Sequence, residues 1–154
     1  KKILTISNSS KNDIINSYGI SNSKIVITYL GIKQFLSLTP NIYPMNQLKT
    51  KYKISDNYIL FVGTLQPRKN IERLIEAFSK IDFRELDTKD LQLIIVGKKG
   101  WLYEEILAAP KKFEVESSVK FLDKVDNEEL ATLYKTAKCF VLPSLYEGFG
   151  LPIL

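Results

Sequence analysis

YILFVGTLQPRKNIERLIEAFSKI, residues 58–81, runs from an apolar strand through a polar turn into an amphipathic helix, and its reading decides the fold. Tyr58-Ile59-Leu60-Phe61-Val62-Gly63 is the strand, and Ile71, Leu74, Ile75, Phe78 and Ile81 mark one face of the helix. The same β-then-α unit returns downstream. Leu91 to Gly97 is a second strand, followed by a helix from Trp101 to about Phe113 that Pro110 kinks or shortens. Val119-Lys120-Phe121-Leu122 is a third strand. Asp126 and Glu129 then form a capping-box start for a helix bearing Leu130, Leu133, Tyr134 and Ala137. The last strand spans Lys138 to Leu142; its Cys139-Phe140-Val141-Leu142 run reads as fully buried, and Pro143 and Ser144 end it. Four strands separated by helices predict an α/β fold, a Rossmann-like parallel sheet flanked by helices and joined by right-handed crossovers.

Upstream, residues 3 to 7 are a short strand candidate. Asn8-Ser9-Ser10 starts a helix that continues from Asn12 to Tyr18 and that Gly19 closes, and Ile25 to Tyr29 is another strand, ended by Gly31. Lys33 to Asn57 carries Pro40, Pro44 and little periodicity, so it reads as a connection. The division expected is therefore 1–32, 33–57 as linker, and 58–154.

With 154 residues, 45% hydrophobic and 25% charged, the chain is long enough to bury a core. No apolar run approaches the roughly 18 residues of a membrane span, and Lys1-Lys2-Ile3-Leu4-Thr5 has no signal-peptide pattern, so a cytoplasmic location is expected. The net charge of +5 comes from scattered lysines, with local groups only at Lys49, Lys51, Lys53 and at Lys98, Lys99. That is a solvated surface rather than a nucleic-acid site, and it leaves open a peripheral attachment to acidic lipid at the inner face of the membrane. The single cysteine, Cys139, excludes an internal disulfide and reads as a core thiol without chemistry. The absence of histidine excludes from this chain a Ser-His-Asp hydrolase site and a histidine-bound zinc.

Two segments carry candidate chemistry. The first βα turn, Gly63-Thr64-Leu65-Gln66-Pro67-Arg68-Lys69-Asn70, has cations where a G-x-G-x-x-G fingerprint has glycines, which argues against a dinucleotide dehydrogenase. Arg68 and Lys69 stand at the start of a helix, where the dipole disfavours positive charge by a few tenths to about 1 kcal/mol. An anion between them reverses that cost: arginine forks onto diphosphate oxygens and lysine adds a point charge. In the second segment Glu147 sits beside Gly148 and Gly150, and Leu151-Pro152-Ile153 looks like the opening of a helix, whose free amides attract phosphate. In a parallel sheet the turns after Gly63 and after Leu142 open on the same edge, so cations, amides and one carboxylate are expected to converge on one crevice. Phosphates and hydroxyls together describe a nucleotide sugar. Each residue also has a plain reading, the cations as solvated side chains and Glu147 as a loop or capping acid.

FVGTLQPRKNIERLIEAF, LQLIIVG, VKFLDKVDNEELATLYKTAKCFVLPS and YEGFGLPIL, in this order and spacing, resemble the donor-binding C-terminal domain of retaining glycosyltransferases of family 4, with the two-domain GT-B fold. TISNSSKNDIINSYGI and KIVITYLGI resemble the segments that end the acceptor-side domain and lead to the hinge, so residues 1–32 read as that end and 58–154 as a partial nucleotide-sugar-binding domain, an incomplete C-terminal half. The resemblance implies that Arg68 and Lys69 contact the donor diphosphate and steady the charge on the leaving nucleotide. It implies that Glu147 contacts sugar hydroxyls and that amides from Gly148, Phe149, Gly150 and Leu151 receive sugar and phosphate oxygens. The turn residues Gly63 and Thr64 belong to the same donor site, with Thr64 standing where many members carry arginine, and Val125 is expected near the nucleobase. Glu147 would open a pair whose second member falls at position 155. Without an initiator methionine, and stopping where a helix should begin, the chain reads as part of something longer. The implied reaction is transfer of a hexosyl, with mannosyl favoured, from a nucleoside diphosphate sugar to a hydroxyl of a glycan or lipid-linked acceptor, with retention and without a metal or other cofactor. The alternatives are a nucleotide-binding module without turnover, a nucleotide-sugar epimerase of the same architecture, and a structural or receiver-like module with no nucleotide affinity.

Overall fold

The computed structural model describes residues 1–31, 43–81 and 90–153. Contacts divide the chain into two compact units, Lys1–Gln34 with Tyr146–Leu154, and Phe35–Leu145.

In the first unit β1 (Ile3–Thr5) and β2 (Ile25–Ile27) pair in parallel, Ile3 opposite Ile25, with α1 (Asn8–Tyr18) between them. Its ends are where the sequence puts stop and start signals. Ser7 Oγ accepts the Ser10 N–H at 3.0 Å, and Gly19, in left-handed backbone at φ 64°, donates its N–H to the Ile15 carbonyl. Residues 146–153 pack in this unit, where the Tyr146 hydroxyl donates to the Asp13 carboxylate and the Tyr29 and Phe149 rings stand 6.4 Å apart.

The second unit comprises α2 (Met45–Tyr52), β3 (Tyr58–Val62), α3 (Ile71–Ser79), β4 (Gln92–Val96), α4 (Glu104–Lys112), β5 (Val119–Leu122), α5 (Asn127–Thr136) and β6 (Cys139–Phe140). Its four strands are all parallel, in the order β5-β4-β3-β6. Alternate strand residues serve opposite faces. Phe61, Leu93 and Ile95 pack with Ile71, Ile75 and Phe78 of α3 and Ile106 of α4, while Tyr58, Leu60, Ile94 and Val96 pack with Leu48 of α2 and Leu133 of α5. Two covered faces explain why the strands read as continuous apolar runs. Each fully buried side chain of this size stabilises the fold by about 1.5–3 kcal/mol.

Three expectations change. Cys139 is exposed and Phe140 only half-buried, so the final strand is not a buried one. Among the described residues it pairs only with β3 and forms an edge of the sheet, with a ladder of two residues. The helix expected from Trp101 begins at Glu104 instead, because Leu102 adopts left-handed backbone at φ 50°. Pro110 does lie near its end: α4 stops two residues later, Glu114 turns left-handed at φ 57°, and the Val115 N–H returns to the Pro110 carbonyl at 2.9 Å. Within the 33–57 stretch α2 forms a helix with Leu48 wholly buried, and Ile54 beyond it is 4% exposed. Residues 33–42 of that stretch lie outside the described residues.

A buried carboxylate joins the two helices on this face. Glu129, 2% exposed, accepts from Lys51 Nζ at 2.6 Å, the Tyr52 hydroxyl at 2.8 Å and the Asp126 N–H at 3.1 Å, the last completing the capping box of α5.

Candidate functional site

In chain order the strands β3, β4 and β5 build outward on one side, and β6 then returns to the other side of β3. The switch in direction therefore lies between β3 and β6, and in open α/β sheets the crevice beyond the carboxyl ends at this point is the ligand site. The loops that border it are Gly63–Asn70 and Val141–Leu145.

The loop after β3 rests directly on the loop after β4. The Gly63 N–H donates to Val96 O, Leu65 N–H to Lys98 O and Gly100 N–H to Leu65 O, each at 2.9 Å. Glycine is required at two of these contacts: a Cβ on Gly97 would lie 1.9 Å from the Gly63 carbonyl oxygen, and one on Gly100 would lie 2.7 Å from the Leu65 carbonyl oxygen. The indole N–H of Trp101 donates to Gln66 Oε1 at 3.0 Å.

Pro67, Arg68 and Lys69 then form a single 3-10 turn, and Asn70 takes left-handed backbone at φ 58° before α3 begins. Lys69 is 7% exposed, with its stem against Gly63: a Cβ there would stand 3.6 Å from Lys69 Cε. Arg68 beside it is half-buried. Two hydrogen bonds bind this loop to the one after β6. Asn70 Nδ2 donates to Pro143 O at 3.1 Å, and Leu145 N–H donates to Arg68 O at 2.9 Å. A backbone fixed at both rims in this way holds two cations at the start of a helix, a disposition suited to an anion with several oxygens.

The structure thus places Gly63, Thr64, Arg68 and Lys69 in one loop at the switch point, with Thr64 exposed. Val125 follows β5, two strands from β3, and packs half-buried against the cluster around Leu48. Glu147, Gly148, Phe149, Gly150 and Leu151 belong to the other unit. There Glu147 is half-buried, a Cβ on Gly148 would lie 3.5 Å from Ser10 Oγ, and Gly150 is left-handed at φ 82°. Leu151–Ile153 forms a single 3-10 turn where the sequence suggests the opening of a helix. Asn70, Gly97 and Leu145 escape a reading by residue type, since their role rests on contacts with the backbone of another loop. The one available signal is an asparagine directly after two cations at a helix start.

Among the described residues no helix is long and apolar enough to cross a membrane, and no three His, Cys, Asp or Glu side chains are grouped to hold a metal.

A model of the family described as Glycosyl transferases group 1 matches residues 45–154. The chain is 35% identical over its whole length to the O-antigen chain mannosyltransferase B of Escherichia coli, spanning 40% of that protein. Over 99% of its length it is 30% identical to the O-antigen chain mannosyltransferase RfbU of Salmonella typhimurium, spanning 38% of it. Among solved structures, Anabaena HepE in complex with UDP and glucose superposes with a TM-score of 0.78 at 20% identity, over 99% of this chain and 40% of that one. The parallel sheet flanked by helices is thereby the architecture of the GT-B glycosyltransferases. The chain spans less than half the length of each protein named.

Proposed function

Because the chain belongs to the group 1 glycosyl transferases, we propose that it binds the nucleoside diphosphate sugar donor of an enzyme that transfers a hexosyl group to a hydroxyl of a glycan or lipid-linked acceptor. Mannosyl is the group favoured by the names of the two O-antigen relatives, and retention at the anomeric carbon is the stereochemical course proposed. The observation that carries this reading is the Arg68–Lys69 turn, with Lys69 buried, at the switch point of a parallel sheet.

In the reaction the acceptor oxygen forms a bond to the anomeric carbon while the bond from that carbon to the diphosphate oxygen breaks, and the bonding pair leaves with the nucleotide. Arg68 and Lys69 neutralise the charge that grows on the leaving diphosphate, the stabilisation that most lowers such a barrier. Gly63 and Thr64 border the diphosphate, and Val125 borders the base. Retention brings the acceptor oxygen to the face from which the diphosphate departs, so a leaving phosphate oxygen takes the acceptor proton, and this chain offers no histidine for that task. The work belongs at the cytoplasmic side, next to the membrane that carries a lipid-linked acceptor.

The test is to offer the full-length enzyme that contains this chain GDP-mannose or UDP-glucose with a mannose-terminated acceptor and to follow the new anomeric proton by NMR. An α-linked product from the α-configured donor is expected. A β-linked product would refute retention, and no transfer from any nucleotide sugar would refute the function.

A further inference from the structure

Asparagine directly before a helix is ordinarily there to cap it, and Asn70 occupies that place before α3, yet its side chain makes no capping hydrogen bond. Its left-handed backbone, φ 58° and ψ 33°, does not require asparagine either, because glycine adopts that conformation at less cost. What the side chain does is reach across the switch point, where Nδ2 donates to the Pro143 carbonyl at 3.1 Å. The Leu145 N–H returns to Arg68 O at 2.9 Å, so the two loops are laced in both directions within one unit.

We infer that Asn70 is a positioning residue, which fixes the Arg68–Lys69 turn against the 143–145 loop so that both cations meet the donor diphosphate in one preset geometry. The inference rests on the nucleotide-sugar reading above. Asn70 touches no substrate. It acts by keeping the backbone of Arg68, and with it the stem of Lys69, from moving away from the loop after β6. Loss of its amide leaves a binding loop that must be ordered by the ligand itself, and that ordering weakens affinity.

The test compares Asn70→Gly, which keeps the left-handed backbone, with Asn70→Asp, which keeps the shape but cannot donate to a carbonyl. Calorimetry with UDP and with GDP, and amide hydrogen exchange at Leu145, are the readouts. Both variants are expected to bind the nucleoside diphosphate about fivefold more weakly, on the scale of one net hydrogen bond, and to exchange the Leu145 N–H faster. A residue serving only to start α3 would change neither, because glycine starts helices within a few tenths of a kcal/mol of asparagine. Wild-type affinity and wild-type exchange in Asn70→Gly would overturn the inference. If the wild-type protein itself binds neither UDP nor GDP, it is the nucleotide-sugar reading that falls.

Discussion

At Gly97 a single added methyl would stand 1.9 Å from the carbonyl oxygen of Gly63, a backbone atom with no room to give way. The Gly63 N–H is already bonded to Val96 O, so Gly63 cannot shift without breaking the continuation of the β3–β4 ladder. Gly97→Ala is expected to lower stability by about 3 kcal/mol, the upper part of the range for forced overpacking, read as a shift of the urea midpoint at unchanged slope. An unchanged midpoint would mean that the two loops are not in contact. The position of Arg68 and Lys69 before α3 was legible in the sequence, and two like charges there oppose the helix dipole, which makes them candidates for an anion. Asn70 was not, since its letter already had an explanation as a cap. Nor was Gly97, since a glycine after a strand is common and only coordinates reveal the carbonyl facing it.

Among the elements, α2 and α5 are held together by a carboxylate rather than by apolar contact alone. Burial pushes the pKa of Glu129 up, but hydrogen bonds from Lys51 and Tyr52 and the Asp126 N–H outweigh it and leave the folded-state value below normal. The Glu129 carboxylate in turn raises the Lys51 ammonium well above its usual range. A carboxylate depressed in the folded state adds stability that is fully present above its unfolded value, near 4.3, and that is lost as pH falls through the folded value. Unfolding free energy should therefore decline steadily below about pH 5. Glu129→Gln should flatten that decline and cost about 2–3 kcal/mol at neutral pH, the worth of charge-assisted hydrogen bonds. Equal acid sensitivity in wild type and variant would show that other groups control it. The capping box of α5 was readable from Asp126 and Glu129, but the cross-element role of Glu129 was hidden, because its partners lie more than 70 residues away. Helix α2 was missed for a related reason. Met45, Leu48 and Tyr52 lie along one stripe of a short, lysine-rich helix, too few apolar positions to show a period. The exposure of Cys139 likewise follows from strand order, which makes β6 an edge, and strand order is not written in the apolar character of its residues.

For the whole molecule, the alternation of strand and helix from Tyr58 onward foretold the parallel sheet, because each element carries its own period and the crossover rules leave few ways to combine them. The grouping of Tyr146–Leu154 with the amino-terminal residues was not foretold, since contacts between segments so far apart in the chain leave no local pattern. The central claim is that the cations after β3 hold the diphosphate of a sugar donor. Isothermal titration calorimetry with GDP-mannose, UDP-glucose and the bare nucleoside diphosphates, run on wild type and Lys69→Ala, tests it most directly. The expected result is binding by wild type and a loss of about 10- to 100-fold for every ligand in Lys69→Ala, the scale of one charge-assisted hydrogen bond. A folded wild type that binds none of them, or a Lys69→Ala variant that binds them all as wild type does, would contradict the account.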